Sequence, residues 1–377
     1  MPSDEPSLFL QGQKALLAGV SLRGTPASET EEHLDELAEL AVSAGCQVVD
    51  RQVQSLSSPH PATFLGSGKA KQLADRVDWD VLVFDHDLSP SQTQNLETLV
   101  DRPVVDRSAL ILQLFSQRAR TREARTQVEL AQLQYMLPRL TRYWSHLSRQ
   151  AGGIGQRGGE GEKQIEIDRR IIRRRIARLE RDLVGIAKTR ETQRRGRREA
   201  FEVALAGYTN VGKSTLFNAL TDAGTFVQDR LFATLDSKLR RAPLGDGYTA
   251  VFADTVGFVR KLPHHLVASF RSTLEEVRVA DLVLHVVDAS HARWEEQTEV
   301  GDAILADLEV DPARVLVVLN KIDRLGGEAP SGRGIPVSAR TGEGLEELRA
   351  AIRARMPTPR WKELVPAYDD TTGEELP

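Results

Sequence analysis

Cysteine is all but missing from this chain: 377 residues hold one, Cys46. That excludes an intrachain disulfide framework and fits a reducing compartment. Long apolar runs are missing as well, and none approaches the roughly 20 residues that a membrane span needs. The opening stretch MPSDEPSLFL has neither the basic nor the extended apolar part of a signal peptide. The expectation is a cytoplasmic protein with no membrane span. No extended exposed seam demands a dimer, so a monomer is expected. With 40% hydrophobic and 28% charged residues the bulk composition is that of an ordinary globular protein. The length suits two or three domains.

Charge is unevenly spread. Between Arg139 and Ala200 there are 18 Lys and Arg against 8 Asp and Glu, inside a chain whose net charge is −4. A basic block in an acidic protein is either a footprint for nucleic acid or a solvated Arg-rich helix face.

The strongest pattern lies just after that block. Val203-Ala204-Leu205-Ala206 reads as a buried strand, and Thr215-Leu216-Phe217-Asn218-Ala219-Leu220 as the start of a helix. Between them Gly207-Tyr208-Thr209-Asn210-Val211-Gly212-Lys213-Ser214 matches G-x-x-x-x-G-K-[ST] at every fixed position. A glycine-rich loop running into a helix gathers backbone N–H groups around phosphate. Lys213 is expected to reach the β- and γ-phosphates and Ser214 to ligate Mg²⁺. Asp254-Thr255-Val256-Gly257 follows the next apolar strand. Its aspartate is placed to hold Mg²⁺ through water, and the Gly257 N–H to meet the γ-phosphate. Thr234, within Phe232-Ala233-Thr234, sits between these motifs and is the expected second hydroxyl on the metal. Asn320-Lys321-Ile322-Asp323 selects the base, because one carboxylate, Asp323, can accept the paired N1–H and N2–H₂ donors of guanine that adenine lacks. Such a site rejects the wrong base by roughly 10⁴-fold. Ser338-Ala339-Arg340 supports the base. The expected catalytic groups are thus Lys213, Thr234 and Gly257, and the expected metal ligands Ser214, Thr234 and Asp254, with GTP or GDP as the bound nucleotide.

Phe258 stands where Ras-like enzymes carry the glutamine that orients the attacking water, so unassisted hydrolysis is expected to be slow. Asn210 either stabilises the loop or helps to hold K⁺ near the developing charge.

Domain limits follow from composition. Residues 1–120 alternate strand-like and helix-like runs, which predicts a small parallel α/β domain. Within it Gly66-Ser67-Gly68-Lys69 looks like half of a phosphate loop, but Thr63 and Ala70 break the pattern, so a turn before a helix is preferred over a second nucleotide site. Residues 121–195 carry two heptad seams, Leu130 to Leu147 and Ile165 to Ile186, around a loop from Gly152 to Gly161 with six glycines. They predict an antiparallel helical hairpin, interrupted or kinked at Pro138. Residues 196–356 predict a Ras-like, doubly wound P-loop GTPase domain, and 357–377 form a tail.

These motifs, together with Leu88-Ser-Pro-Ser-Gln92, Asp106-Arg107, Gln127 to Tyr135, Leu137-Pro-Arg-Leu140 and Gly152-Gly-Ile-Gly155, resemble the HflX family of GTPases across nearly the whole chain. The resemblance implies contact with the 50S ribosomal subunit through the hairpin, and GTP-dependent splitting of stalled or idle 70S ribosomes under stress. An alternative role stays open: an RNA-binding assembly or anti-association factor in which GTP only sets affinity. The family's R-G-P-G-E loop is here Arg157-Gly-Gly-Glu-Gly-Glu162, longer by one residue and without its proline.

Overall fold

The computed structural model describes residues 10–140, 158–195, 200–221, 232, 235, 238–259, 271–326, 330 and 332–357. The chain forms two compact units. The first begins with β1 (Lys14–Leu22), α1 (Ala27–Ser43), β2 (Gln47–Leu56), α2 (Ser67–Ala74), β3 (Val81–Phe84), α3 (Pro90–Val100), β4 (Val104–Asp106) and α4 (Arg107–Arg118). Its four strands are all parallel, in the order β2-β1-β3-β4. Parallel neighbours need helical crossovers, so the inner strands are covered on both faces and read as unbroken apolar runs. Leu16, Leu17, Leu82, Val83 and Phe84 are fully buried on that account. The edge strand β2 instead alternates exposed and half-buried positions.

Local chemistry sets the helix starts. In α3, Ser89 and Gln92 form a reciprocal capping box ahead of Pro90. Gly66 caps α2; its N–H donates to Gln54 Oε1 at 2.9 Å, and Lys69 Nζ donates to Gln52 Oε1 at 2.7 Å. Two donors of that half-loop are thus engaged by side chains of β2. Asp106 caps α4 through the Ala109 N–H.

Asp106 does more than cap. Its carboxylate also accepts from the Tyr135 hydroxyl at 2.9 Å and from the Leu88 N–H at 3.3 Å. The Arg139 guanidinium stands 3.4 Å away, donates to the Leu88 carbonyl at 2.7 Å and lies over the Tyr135 ring. Tyr135 belongs to α5 (Arg122–Met136), and Arg139 to the 3₁₀ turn Leu137–Arg139. Pro138 thus interrupts the first arm, because its ring cannot follow an α-helical turn. The motifs around residues 106, 135 and 139 converge on one buried hub that fixes how α5 leaves the small sheet.

The second arm is α6 (Gly158–Arg195), 38 residues long. Its first four residues, Gly158 to Gly161, are helical, whereas the sequence placed them in the loop. Propagating a long helix by one more residue is easy once it is nucleated, even for glycine at about 1 kcal/mol each. The expected seam of α6 holds: Leu179 is buried and Ile165, Ile172, Ile176, Leu183 and Ile186 half-buried. Residues 141–157, with the rest of the loop, lie outside the described residues.

The second unit carries β5 (Phe201–Ala206), α7 (Lys213–Thr221), β6 (Lys238–Gly245), β7 (Tyr248–Asp254), α8 (Arg271–Val279), β8 (Leu282–Asp288), α9 (Trp294–Asp307), β9 (Val315–Asn320), β10 (Ile335–Pro336) and α10 (Leu345–Arg353). The sheet order is β10-β9-β8-β5-β7-β6, parallel except for β6, which runs antiparallel to β7. Strand β6 was not read from the sequence. Its charged run Lys238-Leu-Arg-Arg241 masks the apolar period, while the turn signal Gly245-Asp246-Gly247, all at positive φ, was the readable cue.

Asp106 is wholly buried, and desolvation outweighs Arg139 to raise its carboxyl above the usual range. Removing the cation leaves that charge without its partner. Arg139→Met is expected to lower stability by about 3 kcal/mol in urea unfolding. Adding Asp106→Asn to that variant should recover part of the loss.

Candidate functional site

The phosphate loop hangs between the end of β5 and the start of α7, and its backbone takes turns that only particular residues tolerate. Gly207 has φ 142° and its Cα lies against the Val286 carbonyl, where any side chain collides. Gly212 has φ 92° and packs under the Asn320 amide with the same consequence. Asn210 lies between them at φ 64°, a conformation asparagine accepts more readily than most residues. Val211 is buried. These turns swing the chain so that Gly212, Lys213, Ser214 and Thr215 present the first N–H groups of α7.

Lys213 is only 6% exposed, and burial pushes its ammonium down to about 8, with Asp254 opposing. Its Nζ donates to the Tyr208 carbonyl at 2.5 Å and the Gly207 carbonyl at 3.1 Å. Ser214 Oγ donates to Asp254 Oδ2 at 2.7 Å. A hydroxyl and a fully buried carboxylate held together at the end of a helix are hard oxygen donors, and the pair fits Mg²⁺. Thr255 turns away and donates to the Leu205 carbonyl at 2.6 Å, which anchors the strand end behind the motif. Val256 is buried beside it. Gly257 leaves no room for a methyl group: an added Cβ meets Thr209 at 2.8 Å and Lys213 Nζ at 2.9 Å.

The base-side residues assemble on the ends of β9 and β10. Asn320 Nδ2 donates to the Val211 carbonyl at 2.8 Å, and its Oδ1 accepts from the Ala339 N–H at 3.0 Å. Lys321, at φ 66°, donates to the Asn210 carbonyl at 2.7 Å and to Asp288 Oδ2 at 2.6 Å. Asp323 Oδ1 accepts from Ser338 Oγ at 2.7 Å, which orients the carboxylate. Ser338 is buried, whereas Arg340 is exposed. The structure gathers the described members of the predicted set that belong to the second unit, whereas Phe232 belongs to the first. That ring is buried against Phe115 of α4, with centroids 4.7 Å apart. Ala233 and Thr234 lie outside the described residues.

Sequence reasoning missed Asp288 and Thr341. Asp288, at the end of β8, neutralises Lys321, and Thr341 donates its N–H to Ser338 Oγ at 3.1 Å. An aspartate closing an apolar strand in Leu282 to Asp288 was the available signal for the first; the second had none.

Comparison with known proteins covers most of the chain. Three family models match in order: the GTP-binding GTPase N-terminal region over residues 31–116, the GTP-binding GTPase middle region over 118–197, and the 50S ribosome-binding GTPase over 202–321. GTPase HflX of Magnetococcus marinus is 51% identical over 331 residues, covering 85% of this chain and 77% of that protein. GTPase HflX of Escherichia coli K12 is 45% identical over 338 residues, covering 86% and 79%. Among solved structures, the complex of SsGBP with GDP superposes with a TM-score of 0.51 at 26% identity, covering 91% of this chain and 98% of that one.

The depressed Lys213 gives a signed expectation. Phosphate favours the charged ammonium, so binding raises its pKa from about 8. Below that pH the lysine is charged in both states and GDP affinity is flat. Above it a proton must be taken up on binding, so affinity falls with pH by up to about tenfold per unit. Calorimetry at pH 9 in two buffers of different ionisation enthalpy should show uptake of most of a proton.

Proposed function

The chain belongs to the HflX family of GTPases, and from that premise we propose that it binds the 50S subunit and uses GTP to split stalled or idle 70S ribosomes in the cytoplasm. The observation that carries this reading is the long arginine-bearing helix α6, attached to a rigid α/β base. Along it an open concavity of about 700 Å³ is lined by Glu166, Ile167, Arg170, Arg173, Arg174 and Ala177. Arg170, Arg173 and Arg174 have no partner among the described residues, which suits them to phosphate. Arg175 differs. It grips Glu129 of α5 with two hydrogen bonds, at 2.6 and 3.0 Å, and so holds the two arms together. The model matching residues 202–321 describes a 50S ribosome-binding GTPase, which supports the same reading.

In the reaction itself Lys213 balances charge on the β- and γ-phosphates, and the Gly257 N–H meets the γ-phosphate. Ser214, Thr234 and Asp254 would hold Mg²⁺, which when bound would supply neutralisation of phosphate charge. Asp323, steadied by Ser338, reads guanine, and Ala339 and Arg340 flank the base. Phe258 is 5% exposed and offers no donor or acceptor to water. Unassisted turnover is therefore slow, on the order of 10⁻⁴ to 10⁻² s⁻¹. On this reading the ribosome completes the site, and Asn210 would either stabilise the loop or help to hold K⁺, which when bound would supply positive charge.

Light scattering tests the main claim. 70S particles should lose signal with GTP or a non-hydrolysable analogue in K⁺ buffer, and not with GDP. Replacing Arg170, Arg173 and Arg174 with Gln should weaken 50S pelleting and reduce its salt slope by up to about 3. Unchanged scattering with every nucleotide would leave an assembly or anti-association role instead.

The base assignment is tested separately. Asp323→Asn should move preference from GTP toward XTP by at least about tenfold, because the amide donates where the carboxylate accepted. An unaltered ratio of affinities would refute it.

A further inference from the structure

We propose that Asp288, at the end of β8, is a positioning residue for the nucleotide. Acting through the Lys321 ammonium, it locks the turn at Asn210 of the phosphate loop to the base-reading end of β9, and so sets how slowly a guanine nucleotide leaves. The inference rests on the guanine-nucleotide reading of the site and is independent of the ribosome.

The Asp288 carboxylate is itself held in place. Its Oδ2 accepts from Lys321 Nζ at 2.6 Å, while Oδ1 accepts from the Ser290 N–H at 3.0 Å and from Ser290 Oγ at 2.6 Å. The backbone around it is bonded as well. The Ala289 N–H donates to the Asn320 carbonyl at 2.8 Å, and the His291 N–H to the Asp288 carbonyl at 3.2 Å. The carboxylate cannot turn away from Lys321 without opening this turn. Both side chains of the pair are only 15% exposed, so solvent ions screen it little.

Lys321 spends a second donor on the Asn210 carbonyl at 2.7 Å. The two residues joined by that bond both stand at positive φ, 64° for Asn210 and 66° for Lys321. Asparagine accepts this conformation, but a lysine does so only where its surroundings over-determine it. Here the surroundings are one carboxylate and one carbonyl on the same ammonium. With the carboxylate gone, the ammonium is free to follow water and to release the carbonyl. The two turns serve different parts of the ligand. Asn210 leads into Gly212 and the first N–H groups of α7, whereas Lys321 stands two residues before Asp323, which reads the base. Asn320 fixes Val211 from the interior, and Lys321 fixes the residue before it. A nucleotide that spans both turns gains from a separation set in advance, since less chain has to be ordered on binding.

Stopped-flow kinetics of a fluorescent GDP on the full chain, chased with unlabelled GDP, test this. Asp288→Asn keeps the shape and removes the charge. It should speed dissociation about tenfold and change association by no more than about twofold, because losing one partner of a sheltered charge pair acts on release. Lys321→Met should speed dissociation too, and adding Asp288→Asn to it should bring no more than about twofold further. Ser290→Ala breaks the turn's hydroxyl bond but keeps the charge pair, and should raise the off-rate far less than Asp288→Asn does. An unchanged off-rate in Asp288→Asn would overturn the proposal. So would equal increases with Lys321 present and absent, or a Ser290→Ala effect as large as that of Asp288→Asn, since either would make Asp288 a turn-former alone. The preference of the unaltered chain for GTP over XTP tests the guanine reading separately.

Discussion

The nucleotide site depends on one side-chain amide. Asn320 places its Nδ2 under the phosphate loop and its Oδ1 against the loop that carries Ser338 to Arg340. It is 2% exposed, so each bond is made away from water, where leaving either unmade costs roughly 1–3 kcal/mol. The amide ties together three pieces of chain that are distant in sequence. It also explains why residue 212 must be glycine, since Nδ2 occupies the space a side chain would need. An aspartate here could accept from Ala339 but not donate to Val211, and a leucine could do neither. Phosphate and base recognition are thereby one rigid object, and Lys321, bridging Asn210 and Asp288, repeats the tie at the surface.

Against that frame the polar groups of the phosphate side are bonded within the site. Ser214 donates to Asp254, Lys213 to two carbonyls of its own loop, and Phe258 bonds the loop backbone.

The sequence was most legible where chemistry demands a fixed residue. The phosphate loop, the Asp254 to Gly257 motif and the Asn320 to Asp323 motif could be placed to the residue because each position has a steric or hydrogen-bonding reason. The parallel sheet of the first unit was legible because strands buried on both faces leave apolar runs such as Val81 to Phe84. Strand β6 was not legible: it is an edge, and cations at Lys238, Arg240 and Arg241 hide its period. The true start of α6 was missed for the opposite reason, because four residues rich in glycine read as loop while the long helix beyond carries them. Phe232 was assigned to nucleotide binding by its neighbourhood in sequence. Its ring packs on Phe115, and a lone aromatic gives no sign in sequence of which surface will bury it. The pairing of Arg175 with Glu129, 46 positions apart, was equally invisible among ten arginines on one helix.

The hub at Asp106 explains why the first unit needs polar motifs in its core. A buried ion pair adds little net stability over well-packed apolar side chains, because desolvation consumes most of the Coulombic gain. It does fix direction, since hydrogen bonds have narrow angular tolerance and apolar contacts do not. Asp106 takes four donors from three segments: Ala109 on α4, Leu88 ahead of α3, and Tyr135 and Arg139 at the end of the first arm. Few rotations of α5 about its own axis satisfy all of them. An apolar hub would let that helix turn by a residue or two at little expense, and the arginines of the second arm, clamped to the first through Glu129, would turn with it. A protein whose proposed partner is a large rigid particle gains from a fixed bearing at this joint more than from another kcal/mol of stability, and the buried charge at residue 106 supplies the bearing.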